Sequence, residues 1–318
     1  MDNPKVSVII PNYNHARYLD QRIQSVLNQT YQDFEVIILD DCSTDNSLDV
    51  INKYKDNQHI SQIIVNERNS GSTFKQWDKG IHLAKGELIW IAESDDYCEL
   101  SLLEELVKSF QNRNGLVLSF CGLEYVDSTN QVIGHYPFNM NGMKYMPGKD
   151  FIRQYQVYGN HIRNASAVLF NRSVALSVNP LYKSFRAAGD FLFWCMMIEN
   201  GEIAFVPNKL NYCRTDGLNV TNKSFKNGRS FEEDYRVHKY LCSKGYLKSI
   251  WLRLSVKNNY ILWIKQNDFE IEDKRNELLK LWDPIKFYRS RLFPRLFRGI
   301  NMIHWKKKQI IRKIRDFA

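Results

Sequence analysis

Five short apolar runs within the first 121 residues constrain this chain more than any other feature. They are KVSVII (Lys5 to Ile10), FEVIIL (Phe34 to Leu39), IIV (Ile63 to Val65), ELIWIA (Glu87 to Ala92) and LVLSFC (Leu116 to Cys121). Each is nearly continuous in its hydrophobicity, so a strand formed from it must be covered on both faces. The stretches between them carry helical patterns that end near Gln29, Tyr54, Ala84 and Asn112. Strands buried on both sides and separated by crossover helices predict an α/β layered domain around a mainly parallel sheet, with LVLSFC closing the series. Ligands of such sheets bind beyond the carboxyl ends of the strands.

The polar chemistry gathers at those ends. The first run leads into Pro11-Asn12-Tyr13-Asn14, the second into Asp40-Asp41-Cys42-Ser43-Thr44-Asp45, and the fourth into Glu93-Ser94-Asp95-Asp96-Tyr97. No GxGxxG follows the first run and no GxxxxGK[ST] is present, which argues against a dinucleotide fold or a P-loop. Residues 122 to 222 are less regular, with a helix expected to start near Gly189-Asp190 and a polar loop at Tyr212 to Thr221. From about Asn227 the pattern turns helical and amphipathic, interrupted at Pro284 and Pro294. The chain therefore reads as a sheet domain, 1–222, followed by a helical extension, 223–318.

An apolar content of 44% is ample for a core, and no apolar run approaches the roughly 18 residues that cross a bilayer. Lys5 enters the first strand pattern directly, so the reading expects no signal peptide and a cytosolic protein. Six scattered cysteines without a CxxC pair suit reduced, mostly buried thiols better than a zinc site or a disulfide framework. The net charge of +9 is local: residues 284 to 318 hold eleven Lys or Arg against Asp316, while the remainder carries 33 basic and 34 acidic residues.

Asp95 and Asp96 can hold a hard divalent cation against a diphosphate, because such ions prefer carboxylate oxygens and share sites with phosphate. They can equally cap the helix that follows. Asp40 and Asp41 pose the same choice: a turn and helix start, or a carboxylate accepting from a nucleobase beside Tyr13 as a stacking surface.

Order carries more than any one cluster. VSVIIPNYNHARYLDQRIQSVLNQTYQDFEVIILDDCSTDNS followed by AKGELIWIAESDDY resembles the inverting glycosyltransferase family 2, with its GT-A fold. The resemblance is continuous over about residues 4 to 112 and looser to about 222. It implies donor-binding roles for Pro11, Asn12, Tyr13, Asn14 and Asp41. ESDD stands at the position of the family's DXD-type motif, which implies Asp96 as ligand of Mg²⁺ or Mn²⁺ and Asp95 as a ribose or metal-shell contact. Glu93 stands where many members have Asp. Asn69 to Trp77 departs from the Asn-Gly and Ala-Arg-Asn segment that contacts donor phosphates, and Lys75 is the candidate cation there. Asp190 falls where the family places the base, a carboxylate that takes the proton of an acceptor hydroxyl, and it can also serve as N-cap of the apolar helix behind it. Tyr212 to Thr221 resembles a loop that closes over the diphosphate, with Arg214 adding charge. The implied reaction moves a sugar from a nucleoside-diphosphate donor, UDP-type by expectation, to a glycan or lipid-linked acceptor in cell-surface polysaccharide synthesis.

The tail adds a partner. Ile300, Ile303, Ile310, Ile311, Ile314 and Phe317 recur at roughly helical spacing, opposite Lys306, Lys307, Lys308, Arg312, Lys313 and Arg315, with Trp305 nearby. A basic amphipathic helix with an aromatic anchor suits an anionic membrane surface, so 284–318 is expected to dock the protein on the inner face of the membrane. Packing against the chain's own body is the rival, and nucleic acid is not expected, since no binding motif accompanies the charge. Two other functions compete with glycosyl transfer: a nucleotidyltransferase, which would carry a Gly-rich basic loop after the first strand, and a non-catalytic membrane scaffold with a degenerate site.

Overall fold

A computed structural model describes residues 4–282 apart from 141, 143, 216–219 and 249. The basic tail and the centre of the 212–221 segment lie outside the described residues.

The chain opens with β1 (Val6–Asn12), α1 (Ala16–Leu27), β2 (Phe34–Asp40), α2 (Ser47–Asn52), β3 (Ile60–Val65), α3 (Thr73–Leu83) and β4 (Leu88–Ile91). β1 pairs in parallel with β2 and β4, and β2 pairs in parallel with β3, as the apolar runs demand. Next come β5 (Tyr97–Cys98), α4 (Leu102–Phe110), the long β6 (Leu116–Val126), β7 (Val132–His135), β8 (Tyr145–Pro147) and α5 (Gly148–Gln154). The third stretch supplies β9 (Val168–Asn171), α6 (Arg172–Ser177), α7 (Gly189–Ile198) and β10 (Glu202–Arg214). Four helices finish the described chain: α8 (Val220–Lys226), α9 (Arg229–Ser243), α10 (Ile250–Gln266) and α11 (Glu272–Leu281).

All ten strands form one sheet in the order β3-β2-β1-β4-β9-β6-β10-β5, with β7 on β6 and β8 on β10. The sheet is mainly parallel at its centre and flanked by helices. LVLSFC does not sit beside ELIWIA, because β9 inserts antiparallel between β4 and β6. VLFN is too short to announce a strand in the sequence. Its reversed direction has a consequence: β4, β6 and β10 all point the same way. Their carboxyl ends therefore share an edge with the residues that enter β9. Tyr212 to Arg214, read as part of a loop, is the end of β10.

Alternation divides the core between the two faces. Val6, Val8 and Ile10 of β1 pack with α1 and α4 residues such as Leu19, Ile23, Leu102 and Leu106. Ile9 packs the other way, with α3, α7 and the C-terminal helices. Each side chain of this kind contributes roughly 1.5–3 kcal/mol when fully buried. Phe231, Val237, Tyr260, Leu278 and Trp282 from residues beyond 222 belong to this second cluster. The helices α9 to α11 therefore share the sheet's hydrophobic core. α7 is apolar all round and buried on nearly every side, as a central core helix must be.

Two glycines permit close approaches around α3. A Cβ on Gly80 would stand 2.5 Å from Ile9 Cγ2, so the helix lies directly on β1. A Cβ on Gly189 would stand 2.5 Å from the Phe74 ring, so the first turn of α7 lies directly on α3.

Candidate active site

The ends of β1 and β2 are tied together by polar side chains. Asn12 donates through Nδ2 to Asp40 Oδ1 at 2.7 Å, and Asp40 also accepts from Ser43 Oγ (2.6 Å) and Ser43 N (2.8 Å). Asn14 adopts a left-handed φ of 56° and accepts from Thr44 N through Oδ1 at 2.7 Å. Pro11, Asn12 and Asp40 are buried by this lacing. Tyr13 is left 46% exposed on top of it, with its ring open to a planar ligand.

Asp41 is buried and heavily engaged. Its carboxylate accepts from Asn66 Nδ2 (2.6 Å), Gln76 Nε2 (2.8 Å), Ser70 Oγ (2.7 Å) and Ser70 N (2.9 and 3.1 Å). Those donors all come from the 66–76 stretch, so Asp41 shapes the loop that departs from the usual donor-phosphate segment. Lys75 is exposed at the rim of this loop and donates to Ser70 O at 2.9 Å.

At the end of β4 the two adjacent aspartates have different surroundings. Asp96 is buried and committed: Oδ1 accepts from Arg214 N (2.9 Å), and Oδ2 accepts from Asn164 Nδ2 (2.8 Å) and Ser166 Oγ (2.7 Å). Arg22, fully buried on α1, stands behind it at 3.9 Å. Asp95 is half-buried beside it, and burial with the neighbouring Asp96 charge pushes its carboxyl up to about 6. Glu93 is pushed up to about 8, first by burial and then by Asp95. Its Oε1 accepts from Trp77 Nε1 at 2.8 Å, so the two departures from the family pattern meet. His15 Nδ1 lies 2.8 Å from Ser94 Oγ and joins this end to the β1 turn.

Arg214 closes the frame. Its guanidinium donates to Asp95 O (2.8 Å), Asp127 O (2.6 Å), Asn130 Oδ1 (2.7 Å) and Gln21 Oε1 (3.2 Å), and it stacks over Tyr18. The side chain is buried, with its donors spent on the protein. It braces the acidic strand end, whereas the sequence reading gave its charge to a diphosphate.

Asp190 occupies the first turn of α7, where Ala188, not the aspartate, is the N-cap. Asn160 Nδ2 donates to its Oδ2 at 2.8 Å. Burial pushes its carboxyl up to about 7, although the nearby Phe191 amide, Asn160 and Arg163 hold it down. Asn160 and Asn164 belong to the one stretch that enters β9, so a single segment touches both Asp190 and Asp96. Trp77 makes a second link: its ring packs on Phe193 and Trp194 of α7 while its N–H reaches Glu93.

Residues 7–177, more than half of the chain, match the family described as Glycosyl transferase family 2. The chain belongs to that family. It is 26% identical over 235 residues to the glycosyltransferase GlyG of Streptococcus pneumoniae, covering 74% of this chain and 64% of GlyG. It is 32% identical over 218 residues to the poly(ribitol-phosphate) β-N-acetylglucosaminyltransferase TarP of Staphylococcus aureus, covering 65% of this chain and 59% of TarP. The match therefore spans less than two thirds of either relative. Among solved structures, S. aureus TarS 1-349 in complex with UDP-GlcNAc superposes with a TM-score of 0.59 at 19% identity, over 87% of this chain and 71% of that one. A mannosyltransferase from Pyrobaculum calidifontis in complex with GDP-Man and Mn²⁺ superposes with a TM-score of 0.57 at 14% identity, over 84% and 75%. These likenesses show the GT-A fold.

Within this family 2 frame several supporting residues carried no sequence signal. Arg22 looks like a surface helix residue, and Asn164 and Ser166 sit in an irregular stretch without a motif. Glu233 lies more than forty residues beyond Asp190 in α9, yet accepts from Arg186 N, Ala187 N and Ala188 N. The described residues include no helix long and apolar enough to cross a membrane.

Proposed function

We propose that the chain is an inverting glycosyltransferase that moves a sugar from a UDP-type nucleoside diphosphate to a glycan or lipid-linked acceptor of the cell surface. The observation that carries this reading is Asp190: a half-buried carboxyl at the mouth of a helix, oriented by Asn160 and raised to about 7. A base with that affinity takes a proton from an acceptor hydroxyl effectively near neutral pH. The relatives' names support the polymer class, TarP being a poly(ribitol-phosphate) transferase and TuaG of Bacillus subtilis a putative teichuronic acid biosynthesis enzyme.

Tyr13, exposed above the Asn12–Asp40 lacing, stacks on the donor base, and Asp41 shapes the 66–76 loop around the rest of the donor. Among the described residues no three His, Cys, Asp or Glu side chains converge as a complete metal site. One free carboxylate is nonetheless the set that Mg²⁺ or Mn²⁺ takes when it shares its shell with a diphosphate. Asp95 fits that role, since a cation relieves its crowding with Asp96, while Asp96 is spent on Asn164, Ser166 and Arg214. Such an ion neutralises charge on the departing diphosphate. Asp190 meanwhile receives the acceptor proton, and Asn160 orients it through Oδ2.

The basic segment 284–318 is proposed to dock on anionic lipid, where a lipid-linked acceptor is presented. Removing it should weaken binding to anionic vesicles, and salt-insensitive binding of the shortened chain would sink that idea. The reaction itself is tested by a panel of nucleotide sugars with Mn²⁺ or Mg²⁺, scored by nucleoside diphosphate release. Asp190→Asn should abolish turnover and retain UDP binding, and a fully active variant would remove Asp190 from the mechanism.

A further inference from the structure

The entry to α7 lacks the residues that ordinarily cap a helix. Its N-cap is Ala188, which makes no side-chain cap bond, and the preceding residues are Arg186 and Ala187. Orphan amides at a helix start need an acceptor, and Ser, Thr, Asp or Asn normally provides it locally. Here the acceptor arrives from another helix. Glu233 of α9, buried at 6% exposure, takes Arg186 N at 3.0 Å through Oε1. Through Oε2 it takes Ala187 N and Ala188 N, both at 2.8 Å. Three successive amides thus converge on one carboxylate, two residues before Asp190.

We propose that Glu233 is a positioning residue for the base: it caps α7 from α9 and so fixes where Asp190 stands. The proposal rests on the reading of Asp190 as the base. With the amides of 186–188 held by Glu233, the entry to α7 is fixed against α9, and this sets where the Asp190 carboxylate meets Asn160. The packing leaves no slack either, since Gly189 touches the Phe74 ring and a shift of the first turn would collide with α3. α9 is itself anchored, because the next residue, Asp234, accepts from Tyr260 of α10 at 3.0 Å. The C-terminal helices thereby become part of the catalytic apparatus without touching substrate.

Steady-state turnover by UDP release, UDP binding by calorimetry and thermal unfolding test this on the full chain in Glu233→Gln, Glu233→Ala, Asp190→Asn and the Glu233→Ala/Asp190→Asn double variant. Gln keeps the shape and an acceptor oxygen, so it should fold. The expected result is a fall in kcat of about tenfold for Gln and more for Ala, with UDP affinity within about twofold of the unchanged chain, because misplacing a base by a fraction of an ångström acts on the chemical step. The double variant should turn over no more slowly than Asp190→Asn alone, since Glu233 acts through Asp190. An unchanged kcat in Glu233→Gln and Glu233→Ala overturns the proposal. So does a loss that adds in full to that of Asp190→Asn, or an equal loss of UDP binding and thermal stability in Glu233→Gln. If Asp190→Asn keeps full activity, it is the assignment of the base that fails, whatever the Glu233 variants do.

Discussion

Trp77 donates its indole N–H to Glu93 Oε1 at 2.8 Å, so the two positions at which this chain leaves the common family pattern are a bonded pair. Glu93 is one methylene longer than the aspartate found there in many members, and the extra reach meets a tryptophan from α3. The same ring packs on Phe193 and Trp194, so the bond ties the end of β4 to the helix that bears Asp190. Trp77→Phe keeps most of the ring and removes the donor. It should destabilise the protein by about 1–3 kcal/mol, the cost of losing a buried partner, as read from urea unfolding.

Asp95 and Asp96 should separate in their effects. Asp96→Asn disturbs contacts to Arg214, Asn164, Ser166 and Arg22, and should cost roughly 2–4 kcal/mol in unfolding experiments. Asp95→Asn removes the crowding with Asp96, so it should be at least as stable as the unchanged chain near neutral pH, and it should require far more Mn²⁺ or Mg²⁺ for activity. If Asp96→Asn is the variant with normal stability, the assignment of frame and ligand is reversed.

The raised carboxyl of Asp190 gives activity and stability opposite pH dependences. The base must be ionised, so kcat should fall as pH drops through about 7. Folding favours the protonated form, because the native carboxyl sits near 7 against an ordinary value of 3.8. Its contribution to stability is therefore complete below about 4 and is lost as pH rises through 7. Asp190→Asn should accordingly gain in melting temperature over the unchanged chain as pH goes from 5 to 8. A difference that stays flat across that range contradicts burial as the cause of the shift.

Gly189 should resist substitution. The Cβ of Gly189→Ala would meet the Phe74 ring at 2.5 Å, and overpacking of this kind costs about 1–3 kcal/mol. Thermal unfolding checks the loss, and adding Phe74→Leu should restore part of it.

Tyr13 carries no packing duty that would mask its role, being 46% exposed. Tyr13→Ala should leave the melting temperature nearly unchanged and weaken UDP binding by about 1–3 kcal/mol, the usual size of a base–aromatic stack. Calorimetry with UDP reads it directly, and unaltered affinity would move the base elsewhere on the sheet edge.

Much of this architecture was legible because its signals are local. The apolar runs of β1, β2 and β4 are continuous, and parallel strands buried on both faces require that. The acidic strand ends were legible as a series, and Asp190 by its place before an apolar helix. β9 escaped notice since four residues, Val168–Asn171, cannot display a period, and its reversed pairing depends on neighbours far away in the chain. The separation at residue 222 suggested by the change to helical pattern has no counterpart in the core, where Phe231, Tyr260 and Trp282 pack with sheet residues.

By itself the sequence determined the five apolar segments that become β1, β2, β3, β4 and β6, which edge of the sheet gathers carboxylates, and which family the order of motifs resembles. It could not determine which of those carboxylates remain available. That is decided by hydrogen bonds from Asn164, Ser166 and Arg214, which lie 68, 70 and 118 residues from Asp96. The entry to the helix that bears Asp190 is likewise held by Glu233, 45 residues beyond Ala188. A carboxylate's chemistry depends on how many of its lone pairs are already taken, and only the folded chain brings the takers to it.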